Sequence, residues 1–91
     1  MKAGVPSNDE LERLAGQLGN NWEDLGRRLG YGDARLTAFR RDRDGMVDST
    51  RYMLINWKQA KGSDATYQVL HDALTHELVG CRLLAEEFCC N

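Results

Sequence analysis

The sequence predicts an all-α fold of six helices, and three observations carry that expectation. Apolar residues recur at spacings of three and four along most of the chain, the period of one helix face. Nine glycines against a single proline, Pro6, punctuate these periodic segments, as short turns between helices require. No stretch reads as a convincing strand.

Ser7-Asn8-Asp9-Glu10 is a capping box, in which the Ser7 hydroxyl and the Glu10 carboxylate satisfy orphan backbone donors reciprocally. Leu11, Leu14, Ala15 and Leu18 follow at i, i+3, i+4 and i+7, and Gly19 ends the first helix. Asn20 with Glu23 marks a second start, followed by Trp22, Leu25 and Leu29 and closed by Gly30 and Gly32. Asp33 is the expected cap of a third helix that turns Leu36 and Phe39 inward and Arg35, Arg40 and Arg41 outward. The longest helix should run from Met46 to Lys61 with Val47, Thr50, Leu54 and Trp57 on its apolar side and Met53 flanking, ending at Gly62. Ser63 or Asp64 should cap a fifth helix lined by Thr66, Val69, Leu70, Ala73 and Leu74. After a turn near Glu77 to Gly80, the segment from Cys81 to Phe88 offers Leu83, Leu84 and Phe88 as the face of a sixth. The expected core is therefore Leu14, Leu18, Trp22, Leu25, Leu29, Leu36, Leu54, Trp57, Leu70 and Leu74.

Ninety-one residues suit one domain, expected over 1–91 with its core at about 8–88 and short flexible tails, and the chain reads as excised from a larger protein. A hydrophobic fraction of 42% with 29% charged residues argues against a disordered or fibrous chain. Twelve Lys and Arg against fourteen Asp and Glu leave a net charge of -2, without the positive field that drives nucleic-acid binding. The longest strictly apolar stretches, such as Tyr52 to Ile55, are too short for a membrane span or a signal peptide. Cys81, Cys89 and Cys90 form no disulfide framework, which points to a reducing, intracellular setting.

Catalytic and ligand chemistry are not expected. His71, His76 and Cys81 lie five residues apart, a step that rotates helical ligands away from one another, so no metal is assigned. His71 beside Asp72 would point about 100 degrees away from it, and no nucleophile motif or phosphate loop accompanies them. A vicinal Cys89–Cys90 disulfide or redox switch is disfavoured by Glu86 and Glu87 next door, leaving a frayed, reduced tail. Trp22 and Trp57 are core residues by their positions in apolar stripes. No cofactor is inferred.

Gly19-Asn20-Asn21-Trp22-Glu23-Asp24-Leu25-Gly26-Arg27-Arg28-Leu29-Gly30 resembles the helix-two signature of the death domain family, a Trp followed by a Leu in a helix that ends at Leu-Gly. Met53-Leu54-Ile55-Asn56-Trp57-Lys58 resembles that family's helix four, and Gly62 to Leu70 followed by Ala73-Leu74 resembles the start of its helix five. The three elements stand in the family's order and span Leu11 to Phe88. Gly26 departs from the pattern, standing where Ala is common, as does the Arg- and Asp-rich connection from Phe39 to Met46.

The resemblance implies an antiparallel Greek-key bundle of six helices, acting in the cytoplasm as a non-catalytic adaptor that binds other death domains in receptor, apoptotic or innate-immune signalling. It also implies asymmetric contacts in which the helix-two and helix-three side of one domain meets the helix-one and helix-four side of another, building open helical stacks. The near-neutral total also conceals two opposed patches. Residues 27 to 43 hold six Arg against Asp33 and Asp42, and residues 63 to 91 hold Asp64, Asp72, Glu77, Glu86 and Glu87 against Arg82 alone. The basic side is assigned to Arg27, Arg28, Arg35, Arg40 and Arg41, and the acidic side to Asp9, Glu10, Glu12 and Asp48. A second contact is assigned to the corner bearing Lys58, Lys61 and Asp64. Two other readings compete: a helix-turn-helix DNA reader with Asp33 to Arg43 as recognition helix, opposed by Asp33, Asp42 and Asp44, and a structural dimerisation domain without a specific partner.

Overall fold

A computed structural model describes residues 1–91, and every regular element in it is helical. The α-helices are α1 (Asn8–Leu18), α2 (Trp22–Arg28), α3 (Asp33–Asp42), α4 (Met46–Lys61), α5 (Tyr67–Thr75) and α6 (Arg82–Cys89). Single 3₁₀ turns, Gly19–Asn21 and Gly62–Asp64, lead out of α1 and α4. α4 packs on α1 and on α3, while α6 packs on α5 and on α1.

The capping box at the head of α1 is formed: the Glu10 amide donates to Ser7 Oγ at 3.1 Å and the Ser7 amide donates to Glu10 Oε1 at 3.0 Å. The helix α4 starts at Met46 as expected, whereas the starts of α2, α3 and α5 differ from expectation. Asn20 lies in the 3₁₀ turn and caps nothing with its side chain; α2 begins directly at Trp22. Asp33 is the first residue inside α3, and its carboxylate accepts from Arg27 Nε at 2.9 Å, so the extended Gly32 opens that helix. Ser63 and Asp64 belong to the 3₁₀ turn after α4, and Thr66 caps α5 by accepting the Val69 amide at 3.1 Å. That turn depends on Gly62, which reverses the chain at φ 55°, in the left-handed region that a side chain disfavours.

One continuous cluster forms the core, and all ten expected core residues lie in it. Leu11, Leu14, Ala15 and Leu18 of α1 and Met53, Leu54 and Trp57 of α4 belong to it. Three side chains assigned to the interior are instead exposed: Val47 (51%), Val69 (42%) and Leu83 (77%). Val47 and Leu83 share one cause. α4 buries Ser49, Thr50, Met53, Leu54 and Trp57, and α6 buries Ala85, Phe88 and Cys89. Val47 and Leu83 each stand two positions before the first member of those sets, about 200 degrees round the helix. The polar members on α4 are satisfied within the protein: Ser49 Oγ donates to the carbonyls of Phe39 and Gly45 at 3.1 and 2.9 Å, and Thr50 Oγ1 donates to that of Met46 at 2.7 Å.

The N-terminal segment before α1 is bonded to the bundle. The Lys2 amide donates to the Cys89 carbonyl at 2.8 Å, the Tyr67 amide donates to the Gly4 carbonyl at 3.0 Å, and Pro6 is fully buried. Cys89 is wholly buried as the last residue of α6, so the frayed tail expected there is a packed one. All three cysteines are free thiols. Burial pushes Cys89 up to about 11, with Cys90 adding to the effect, and burial raises Cys81 as well.

Candidate protein-interaction surface

The arginines of α2 and α3 are exposed, but several are already paired within the molecule. Arg27 reaches Asp24 with Nη1 at 2.8 Å and Asp33 with Nε at 2.9 Å, and the Asp33 bond raises its pKa further. Arg40 pairs with Glu23, bridging α3 to α2, and Arg41 pairs with Asp42 at 3.1 Å. Glu23 and Asp24 lie one turn before Arg27 and Arg28 on the same helix, just outside the stretch whose charge was counted from the sequence. Residues 22 to 43 therefore hold six Arg against four carboxylates, a smaller positive excess than the shorter window suggested.

Arg35 and Arg43 have aromatic partners in place of carboxylates. The Arg35 guanidinium carbon lies 5.6 Å from the Tyr31 ring and 5.2 Å from the Phe39 ring, and its Nη2 reaches Asn56 Oδ1 at 3.4 Å. Arg43 stacks 3.6 Å from the centre of the Tyr52 ring. Tyr31, Phe39 and Tyr52 meet edge to face at 5.3 and 5.5 Å, so a row of rings with two guanidinium groups crosses from α3 to α4. The Tyr31 hydroxyl donates to Asn56 Oδ1 at 2.6 Å, which anchors the row to α4. Sequence counting missed this row because its members lie on two helices and the loops beside them.

On the α1 and α4 side, Asp48 and Glu12 converge on Arg51, at 2.5 and 3.8 Å, and Asp9 lies 3.4 Å from Arg13. The Arg51 bond holds the Asp48 carboxyl below its ordinary range. Glu10 stands apart from these three. Its carboxylate is largely shielded and accepts from the Ser7 amide, the Tyr67 hydroxyl and the Lys2 ammonium, which leaves it inside the fold as a structural hub. At the α4 to α5 corner, Lys61 and Asp64 are exposed, while Lys58 donates to Asn8 Oδ1 at 2.9 Å and so ties α4 to α1.

Arg28 reaches toward the end of α5, with Nη1 3.4 Å from His76 Nε2. Together with Arg27, Val69, Asp72 and Ala73, this pair lines an open cleft of about 440 Å³ between α2 and α5. No helix is long and apolar enough to cross a membrane.

Comparison with protein-family models matches residues 8–87 to the model described as Death domain. The chain belongs to the death domain family. The match runs from the start of α1 into α6 and includes the Trp22, Trp57 and Ala65-Thr66 positions on which the resemblance rests. As a death domain, it is a protein–protein interaction module of signalling, in a family of non-catalytic modules whose members associate with other death domain proteins. The exposed features of this domain include the arginine and aromatic row of α3 and α4, the Asp9, Glu12 and Asp48 group, and the α2 to α5 cleft.

Proposed function

We propose that this death domain is a cytoplasmic adaptor module for apoptotic or innate-immune signalling, packed as the family's antiparallel Greek-key bundle of six helices. It assembles homotypically, with the α2 and α3 side of one domain meeting the α1 and α4 side of another. The observation that carries the reading is the exposure of Arg35, Arg40 and Arg41 along one helix, α3, with Arg27 adjoining from α2. Opposite charge is available on Asp9, Glu12 and Asp48. Glu10 has no part in this contact because its carboxylate is already bonded internally. The Lys61 and Asp64 corner, with Lys58 behind it, supplies a second contact. Complementary charges of this kind steer encounter and fix register, and their effect weakens with salt.

Reversal of Arg40 and Arg41 to Glu tests the reading. The double variant should remain folded, since exposed ion pairs contribute about 0 to 1 kcal/mol each. It should lose self-association and capture of another death domain, measured by light scattering after size exclusion. Reversal of Asp9 and Glu12 to Lys in a second copy should restore pairing between the two variants. Assembly of the double Arg variant at the wild-type level would place the contact elsewhere, with the Lys61 and Asp64 corner next in line.

A further inference from the structure

We infer that the cleft between α2 and α5 recognises a carboxylate side chain on a segment of a partner protein, with Arg28 and His76 as paired donors. The inference starts from the hydrogen bonding of the His76 ring. The Leu78 amide donates to His76 Nδ1 at 3.1 Å, so Nδ1 is an acceptor and the ring proton resides on Nε2. His76 Nε2 lies 3.4 Å from Arg28 Nη1, which is always a donor. Two N–H groups therefore converge without an acceptor between them, an arrangement that one shared oxyanion satisfies with both donors at once. Arg28 forms no ion pair within the protein, whereas Arg27 beside it is paired with Asp24 and Asp33.

The remaining lining defines the class of ligand. Val69, 42% exposed, and Ala73 form an apolar wall. Leu78, 61% exposed, follows His76 by two residues and adds apolar surface beside that end. An acidic residue flanked by an apolar one matches this combination. Asp72 also lines the cleft, with its carboxylate accepting from Gln68 Nε2 at 2.8 Å and lying 3.6 Å from His71. A fixed negative charge at the edge repels a doubly charged phosphate more strongly than a singly charged carboxylate. The volume, about 440 Å³, accommodates one side chain and part of its neighbour. This site is distinct from the α3 contact: it is read out by peptide binding to the monomer, whereas the α3 contact is read out by assembly.

The test is a nuclear magnetic resonance titration of the full chain with four probes: acetyl-Leu-Glu-Leu-amide, the same peptide with Gln in place of Glu, acetate, and inorganic phosphate. The Glu peptide should saturably shift the Arg28 Nε–H, the Leu78 amide and the Val69 methyl groups. The Gln peptide should bind about tenfold or more weakly, the ratio expected when a charge-assisted bond is lost. Arg28→Gln should abolish the shifts, and so should His76→Asn, whose Oδ1 still accepts the Leu78 amide but which lacks the outward ring N–H. Unchanged core methyl resonances will establish that both variants are folded. Equal binding of the Gln peptide, retention of binding in Arg28→Gln, or shifts centred outside the cleft would each overturn the inference. A response to acetate or phosphate as strong as that to the peptide would also overturn it, leaving a general anion site.

Discussion

The Tyr67 hydroxyl donates to the Glu10 carboxylate at 2.5 Å, joining the first turn of α5 to the first turn of α1. Burial alone would pull the Glu10 carboxyl upward, but the Ser7 amide, the Tyr67 hydroxyl and the Lys2 ammonium outweigh it and hold the group at about 2. The same bond, with burial, pushes Tyr67 up to about 12. Since Lys2 also donates its amide to Cys89, this one carboxylate links α1, α5 and the N-terminal segment that α6 holds.

A pH dependence follows from the sign of the Glu10 shift. A carboxyl depressed from 4.5 to about 2 contributes stability that is present above pH 4.5 and is lost as pH falls toward 2. The urea midpoint should therefore drop between about pH 6 and about pH 3, and Glu10→Gln should show a shallower drop from a lower starting value. An equal drop in both proteins would assign the acid sensitivity to other carboxylates.

Gly26 and Gly16 should respond to alanine with opposite signs. A β-carbon at Gly26 would stand 2.6 Å from Leu36 Cδ2 and 2.7 Å from Met53 Sδ, whereas one at Gly16 meets nothing within 4 Å. Leu36 and Met53 are both buried and have little room to withdraw. Overpacking costs about 1 to 3 kcal/mol against a helix-propensity gain of about 1 kcal/mol. Gly26→Ala should therefore lower stability by about 1 kcal/mol, and Gly16→Ala should raise it by up to that amount, both by urea denaturation. A stabilised Gly26→Ala would mean that α2 has room to move away from α3 and α4.

Trp57 is 1% exposed in the middle of α4, where it belongs to the same core cluster as α1. Its truncation to Ala should cost about 3 to 5 kcal/mol, a large share of the 5 to 15 kcal/mol typical of a small domain. Circular dichroism should show loss of cooperative thermal unfolding or a strongly lowered midpoint. A variant with the wild-type midpoint would contradict the packing of α4.

The thiols should separate by rate. Cys89 is fully buried and pushed up to about 11, and Cys81 is buried and raised, while Cys90 is half-buried at the end of α6. At neutral pH, iodoacetamide should modify Cys90 first, with Cys81 and Cys89 reacting only as the fold opens. Mass spectrometry of the time course checks the order, and labelling of Cys89 as fast as Cys90 would show that the end of α6 is frayed after all.

Local signals determined a good deal of this protein. The Ser7 to Glu10 capping box, the α1 stripe, the bounds of α4, and both tryptophans as core residues were legible because each depends on residues within a turn or two of one another. The family pattern from Trp22 through Leu74 was legible for the same reason. Three features were decided only by tertiary packing. Val47 and Leu83 have helical spacing but lie on the outer face, because a helix's rotation is set by what it packs against and not by its own period. The charge of the arginine face was reduced by Glu23 and by the bonding of Arg27 to Asp33, pairings set by how α2 lies against α3. Glu10 reads as an exposed first-turn acid in one dimension, and it became a structural hub only when Tyr67 and Lys2 were brought to it from distant parts of the chain. In each case the deciding contact joins residues on different elements, and no local period or charge count records which side chain arrives.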